Sequence, residues 1–139
     1  MRKTIAIGML LIPAMFALSE ARASDFDGAW ANKSDACDRL YIRKGGQTSF
    51  ARNADMYGSG FIIDGKQIRG KMAKCSVRAT KREGDVAHLV AACSTDIAVD
   101  TVQFTFKIID QDTVTRIFPG LTELNTTYVR CPAAPLNPR

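Results

Sequence analysis

The sequence predicts an all-β domain, a small antiparallel up-and-down barrel or sandwich of about seven or eight short strands with two disulfides. Three observations lead to this prediction. Apolar and polar residues alternate in several short runs that are separated by turn residues. No window has a long helical period. Four cysteines, an even number, all follow an N-terminal export signal.

Residues 1–23 have the order of features found in a secretory signal peptide. Met1-Arg2-Lys3 is a short basic start, residues 4–18 are uncharged, and Ala21-Arg22-Ala23 offers small residues where a signal peptidase cleaves. The uncharged run is shorter than the roughly 20 apolar residues that span a bilayer, and it contains Pro13. We therefore expect cleavage after Ala23, release into the periplasm or beyond, and no stable insertion into a membrane.

Cleavage changes the charge of the protein. The full chain has a formal net charge of +5, and residues 1–23 carry three basic residues and one acidic residue, so the mature chain has +3. This charge is too small for a general polyanion binder. Residues 24–131 are long enough for one domain. Residues 132–139 contain repeated prolines and are predicted to form a flexible tail.

Three hairpins are predicted along the mature chain. Residues 59–72 fold around Asp64-Gly65, a two-residue turn signal. Residues 75–93 fold around Gly84, and residues 101–118 fold around Asp110-Gln111-Asp112. Residues 46–58 are ambiguous and could hold a short turn of helix.

The second hairpin places Cys75 opposite Cys93, close enough to form a disulfide. Cys37 and Cys131 then form the second bond, which would tie the first strand region, 39–43, to the last, 127–131, and favour barrel closure. Four cysteines allow three pairings, so the other two remain open. Zinc is disfavoured because the cysteines lack close Cys-x2-4-Cys spacing.

The start of the domain contains a short motif, Phe26-Asp27-Gly28-Ala29-Trp30, followed by Cys37 and Leu40. This motif resembles the opening of small calycin-type barrels, and most of all that of the bacterial periplasmic metalloprotease inhibitors. The resemblance implies a barrel that inserts its N-terminal segment into a protease cleft. This chain has four cysteines where the family pattern implies two. A simpler role for Trp30 is structural, as a large aromatic residue that fills one end of the barrel.

A run of basic residues is the sharpest local feature. Seven cations fall within 17 residues, with no acidic residue between Asp64 and Glu83. Together they predict a docking surface for an anionic partner, either an envelope polymer or phosphate, or an acidic protein surface. The alternative is a solvated outer face whose edge lysines prevent aggregation. The candidate binding residues are Arg69, Lys71, Lys74, Arg78, Lys81 and Arg82, with Lys66 beside them.

Other functional classes find little support in the sequence. Gly58-Ser59-Gly60 lacks the strand-to-helix setting of a nucleophile, and His88, placed opposite Thr80, has no evident catalytic partner. No metal or cofactor motif is present, and the basic run lacks the interleaved aromatics of a nucleic-acid binder. Arg116 either faces solvent or points inward, where it could stack on Trp30.

We therefore expect a non-enzymatic exported binding or inhibitor module. The alternative is a carrier of a small apolar ligand inside the barrel. Large residues predicted to point inward, such as Phe104, Phe106 and Ile108, favour a filled interior instead. The sequence gives no indication of oligomeric state.

Overall fold

The computed structural model describes residues 26–132. The predicted signal peptide and nearly all of the predicted tail lie outside the described residues. Within them, the strands are β1 (Gly28–Ala31), β2 (Tyr41–Lys44), β3 (Gln47–Phe50), β4 (Gly60–Asp64), β5 (Gln67–Arg69), β6 (Lys74–Glu83), β7 (Val86–Ser94), β8 (Val99–Asp110), β9 (Thr113–Ile117) and β10 (Thr126–Arg130). A short helix α1 (Cys37–Leu40) and the 3-10 turns Ser34–Ala36, Ala54–Met56 and Thr122–Leu124 complete the described secondary structure.

Eight of these strands form a closed antiparallel barrel in the order β1-β10-β9-β8-β7-β6-β5-β4. Each barrel strand pairs with the next one along the chain, and β1 closes the barrel by pairing with both β4 and β10. The up-and-down barrel is therefore confirmed, and the sandwich alternative is wrong. No described helix is long and apolar enough to cross a bilayer.

The barrel has two different ends. At the end that we call the tight-turn end, two-residue turns join β4 to β5, β6 to β7, and β8 to β9. Asp64 pairs with Gln67, so the first turn is Gly65-Lys66, one residue later than predicted. Gly65 has a φ of +55° and Gly84 a φ of +61°, which glycine adopts without strain. Longer connections at 70–73, 95–98 and 118–125 form the opposite end, which we call the loop end.

Both predicted disulfides are confirmed. Cys75 and Cys93 are directly paired residues of β6 and β7, with Cα atoms 4.0 Å apart. Cys37 and Cys131 are joined across 94 residues of sequence, with Cα atoms 5.7 Å apart.

The predicted first strand region, 39–43, is correct at residues 41–43, which lie in β2, but wrong at residues 39 and 40 and in its place in the barrel. Residues 37–40 are helical, and β2 pairs with β3 in a separate two-stranded sheet outside the barrel. Leu40, at the end of α1, and Tyr41, at the start of β2, are both buried in a core outside the barrel. The strand that closes the barrel is β1, which has only four residues.

The barrel interior is filled by aromatic side chains. The ring of Phe61 lies 5.5 Å from that of Phe106 and 4.9 Å from that of Tyr128, measured between centroids. Trp30 is fully buried, stacks on Phe61 at 6.2 Å, and donates its indole N–H to the carbonyl of Phe26 at 2.8 Å. The interior is a packed core.

Residues 32–59, which we call the excursion, pack a second core on the outer face of β1 and β4. This core contains Ala31, Leu40, Tyr41 and Ile62, with Cys37–Cys131 at its edge. The Tyr41 hydroxyl donates to the carbonyl of Trp30 at 2.5 Å and contacts that of Phe61 at 3.2 Å. The excursion is therefore an integral part of the fold.

Candidate functional site

The predicted basic run follows β5 and β6, and the structure divides it into groups with different roles. Two of its members hold the excursion against the barrel. Arg69 donates to the carbonyl of Thr48 at 3.1 Å. Lys71 donates to the carbonyl of Arg52 at 3.1 Å and forms an ion pair with Asp55. The hydrogen bond from Lys71 lowers the pKa of the Asp55 carboxyl.

A second group lies on the outer face of the barrel. Lys74 is the direct partner of Arg69 on the neighbouring strand, and both point away from the buried pair Ile68 and Cys75. Lys74 also borders a groove of about 340 Å³ between the connections at 70–73 and 94–96, where Asp96 lies across from it. Lys74 is exposed and has no ion pair with the described residues.

Arg78 occupies a β-bulge in β6. Val77 pairs with Ala91 and Ala79 pairs with Val90, so Arg78 is the extra residue of the strand. The amide of Val77 donates to the carbonyl of Lys66 at 2.7 Å, which places the β4–β5 turn beside the bulge. Between these cations, Gln67 donates to the hydroxyl of Ser76 at 3.0 Å. We call Lys66, Arg69, Lys74 and Arg78 the β5–β6 basic surface.

The bulge changes the position of the last two predicted binding residues. Lys81 faces outward and forms an ion pair with Glu83 at 2.8 Å, which raises the pKa of Lys81 and lowers that of Glu83. Arg82 pairs with buried Ala87, so it lies on the interior side, with its guanidinium carbon 5.8 Å from the centroid of the Phe26 ring. Neither residue belongs to the β5–β6 basic surface.

His88 has partners that the sequence did not indicate. The predicted position opposite Thr80 was wrong, because the bulge shifts the register by one residue and puts His88 opposite Lys81. Its Nε2 lies 3.4 Å from a Glu83 carboxylate oxygen, and its Nδ1 lies 3.2 Å from the hydroxyl of Thr105. Thr105 is only 7% exposed. This line of side chains on the outer sheet face therefore offers no accessible nucleophile.

Arg116 is a candidate that sequence reasoning left undecided. It is paired with Phe106 and Thr126, which places it on the inward face of β9 near the loop end. Its guanidinium carbon lies 4.8 Å from the centroid of Phe104 and 4.5 Å from that of Phe118. The sequence signal for this inward position is the spacing of Val114, Arg116 and Phe118, because alternate residues of a strand share a face.

The stacking partner of Trp30 is Arg130, not Arg116. The guanidinium carbon of Arg130 lies 4.4 Å from the centroid of the indole ring. Arg130 also donates to the Asp112 carboxylate at 3.1 Å and to the carbonyls of Gln111, at 2.8 Å, and Asp27. These contacts cover the tight-turn end of the barrel above Trp30.

No group of three or more His, Cys, Asp or Glu residues within 26–132 is placed to hold a metal ion. No family model, curated protein or solved structure matches the chain. The resemblance of residues 26–40 to the metalloprotease inhibitors therefore stays a hypothesis.

Proposed function

We propose that this protein is an exported, non-enzymatic binding module that engages an anionic partner through the β5–β6 basic surface. The observation that carries this proposal is the grouping of four cations along β5, β6 and the turn that precedes β5. Lys66, Lys74 and Arg78 are exposed, and Arg69 lies among them. Asp64 and Asp96 border this surface, and Glu83, at the far end of β6, is paired with Lys81.

The rigidity of this face supports a role in binding. The cations are attached to two paired strands, and the Cys75–Cys93 disulfide lies directly beneath them. A rigid array of cations loses little conformational entropy in its backbone when it binds a partner. It also raises the rate of encounter with an anion through long-range attraction.

The filled interior argues against the alternative function as a carrier of an apolar ligand inside the barrel. Trp30, Phe61, Phe106 and Tyr128 occupy the space that such a ligand would need. Eight-stranded barrels have an interior that side chains can fill completely.

Charge reversal tests the proposal directly. The double variant Lys74→Glu/Arg78→Glu should weaken binding to vesicles that contain phosphatidylglycerol by about tenfold or more, because it replaces two attractive contacts by two repulsive ones. The matched control is Lys33→Glu/Lys107→Glu, which makes the same change of net charge at exposed positions outside this surface. Co-sedimentation at low salt measures the affinity.

Poly-L-glutamate, tested in parallel, distinguishes an acidic protein surface from an anionic envelope component. Binding of either probe that depends on Lys74 and Arg78 supports the proposal. Equal losses in the two double variants would show that net charge alone governs binding, and would contradict it. Failure of both probes to bind the wild-type protein would contradict it as well.

A further inference from the structure

Arg116 lies on the inward face of β9 near the loop end and is not part of the β5–β6 basic surface. Among the described residues, its guanidinium has no hydrogen bond and no carboxylate partner; its contacts are the rings of Phe104 and Phe118. It is half-buried, and this burial lowers the pKa of Arg116, an effect that the neighbouring Tyr128 opposes. A half-buried guanidinium whose N–H groups bond to no described residue is placed to bind an anion from solution.

The aromatic contacts decide which atoms of Arg116 can bind. The guanidinium carbon lies over both rings, and neither ring offers its N–H groups a conventional hydrogen-bond acceptor. A planar fork of such donors matches a carboxylate, sulfate or phosphate with two parallel hydrogen bonds. Arg130 shows the contrast, because a carboxylate and two carbonyls already occupy its donors.

The barrel wall is incomplete beside Arg116. β9 pairs with β8 only from Thr105 onward, whereas β8 begins at Val99 and continues its pairing with β7 from there. Residues 99–104 therefore extend beyond the end of β9 at the loop end. Phe104, which stacks on Arg116, belongs to this extension and is half-buried.

The loop end is also unusually apolar. Ile97 is 96% exposed, Val99 81% and Met72 75%, while Leu121 and Leu124 are about half exposed. These residues lie on the three connections of this end and on the first residue of β8. Together they offer exposed apolar surface on the loops of one end of the barrel. We call these five residues the apolar rim.

From the free donors of Arg116 and the apolar rim, we propose that the loop end binds a small amphipathic anion. Its acidic head group binds Arg116, and its apolar chain lies across the rim. The chain stays outside the barrel because Phe61, Phe106 and Tyr128 fill the interior. This site is separate from the β5–β6 basic surface and does not depend on it.

Decanoate is the probe that tests this site, with decylamine and acetate as comparisons. Decanoate should bind the wild-type protein about tenfold or more tightly than either, because decylamine has the opposite charge and acetate lacks the chain. The variant Arg116→Gln should lower decanoate affinity by roughly tenfold to a hundredfold, as expected for the loss of a charge-assisted hydrogen bond. The control Lys107→Gln, an exposed cation on β8, should leave it unchanged.

Titration calorimetry measures these affinities, with decanoate kept below its micelle concentration. The Arg116 Nε–Hε signal, observed by NMR in the wild-type protein, gives a readout that needs no folded variant, and it should shift on addition of decanoate. Equal affinity for decanoate and decylamine, or an unmoved Arg116 signal, would overturn the inference. Lys74→Glu/Arg78→Glu should retain decanoate binding. A negative result for one of the two proposed sites therefore leaves the proposal for the other intact.

Discussion

Individual residues in this barrel take their roles from their surroundings more than from their chemical type. Arg130 and Arg116 both point inward and both stack on aromatic rings. The guanidinium of Arg130 donates hydrogen bonds to a carboxylate and to carbonyl groups, and it covers the tight-turn end of the core. The guanidinium of Arg116, near the loop end, contacts aromatic rings and donates no hydrogen bond to the described residues. The alternation of β9 predicts that Arg116 shares a face with Val114. It does not predict that the Arg116 guanidinium donates no hydrogen bond to the described residues.

Tyr41 offers a test at the scale of one residue. Tyr41→Phe removes a buried hydroxyl that bonds two carbonyls between the excursion and the barrel. We expect the free energy of unfolding to fall by about 1–2 kcal/mol at neutral pH. Urea unfolding measures the loss. Tyr57→Phe is the control, because Tyr57 is exposed, and it should change the stability little.

The pH dependence of the stability of Tyr41→Phe tests whether the buried hydroxyl is the source of the difference from the wild-type protein. Burial raises the pKa of Tyr41 well above its ordinary value of 10.0. Above pH 10 the unfolded chain loses this proton while the folded protein retains it, so the unfolded state binds fewer protons and stability falls as the pH rises. This fall should be smaller in Tyr41→Phe than in the wild-type protein between pH 9 and about 11. An identical fall in both would contradict the assignment.

At the scale of elements, β6 determines where the predicted binding residues lie. Its pairing with β7 was predictable up to Val77 from the facing cysteines. The bulge at Arg78 was not, because a bulge arises from tertiary fit and leaves no clear mark in a sequence pattern. That single extra residue turns Arg82 inward and moves His88 by one position. The packing of the excursion on the outer face of the barrel was not predicted either. Its buried residues belong to a second core and do not alternate as the residues of a strand do.

The two disulfides should contribute unequally to stability. Cys37–Cys131 closes a loop across 94 residues of sequence, and Cys75–Cys93 closes one across 18. In the chain-entropy model, Cys37→Ser/Cys131→Ser costs about 4–5 kcal/mol and Cys75→Ser/Cys93→Ser about 3 kcal/mol. Denaturant unfolding of both double variants checks the order. A larger loss from the shorter loop would show that native-state contacts, rather than loop length, dominate.

At the scale of the whole molecule, the structural contacts and the surface proposed for binding lie in different parts of the barrel. The tight-turn end is closed by Arg130, the outer face of β1 and β4 is covered by the excursion, and the β5–β6 face carries exposed cations. The barrel class and both disulfides could be predicted, because strand alternation and cysteine placement are local signals. The division of the basic run could not, because Arg69 and Lys71 bond to residues between 16 and 21 positions away in the chain.

Backbone amide NMR during titration with tripolyphosphate tests whether the β5–β6 basic surface binds an anion. This probe has no apolar chain, so it reports on charge alone. We predict that the largest shift changes fall on residues 66–69 and 74–78, and that they diminish at about 0.3 M salt, where exposed charges are screened. Shift changes spread evenly over all the lysines and arginines of the protein, or centred away from β5 and β6, would contradict this prediction.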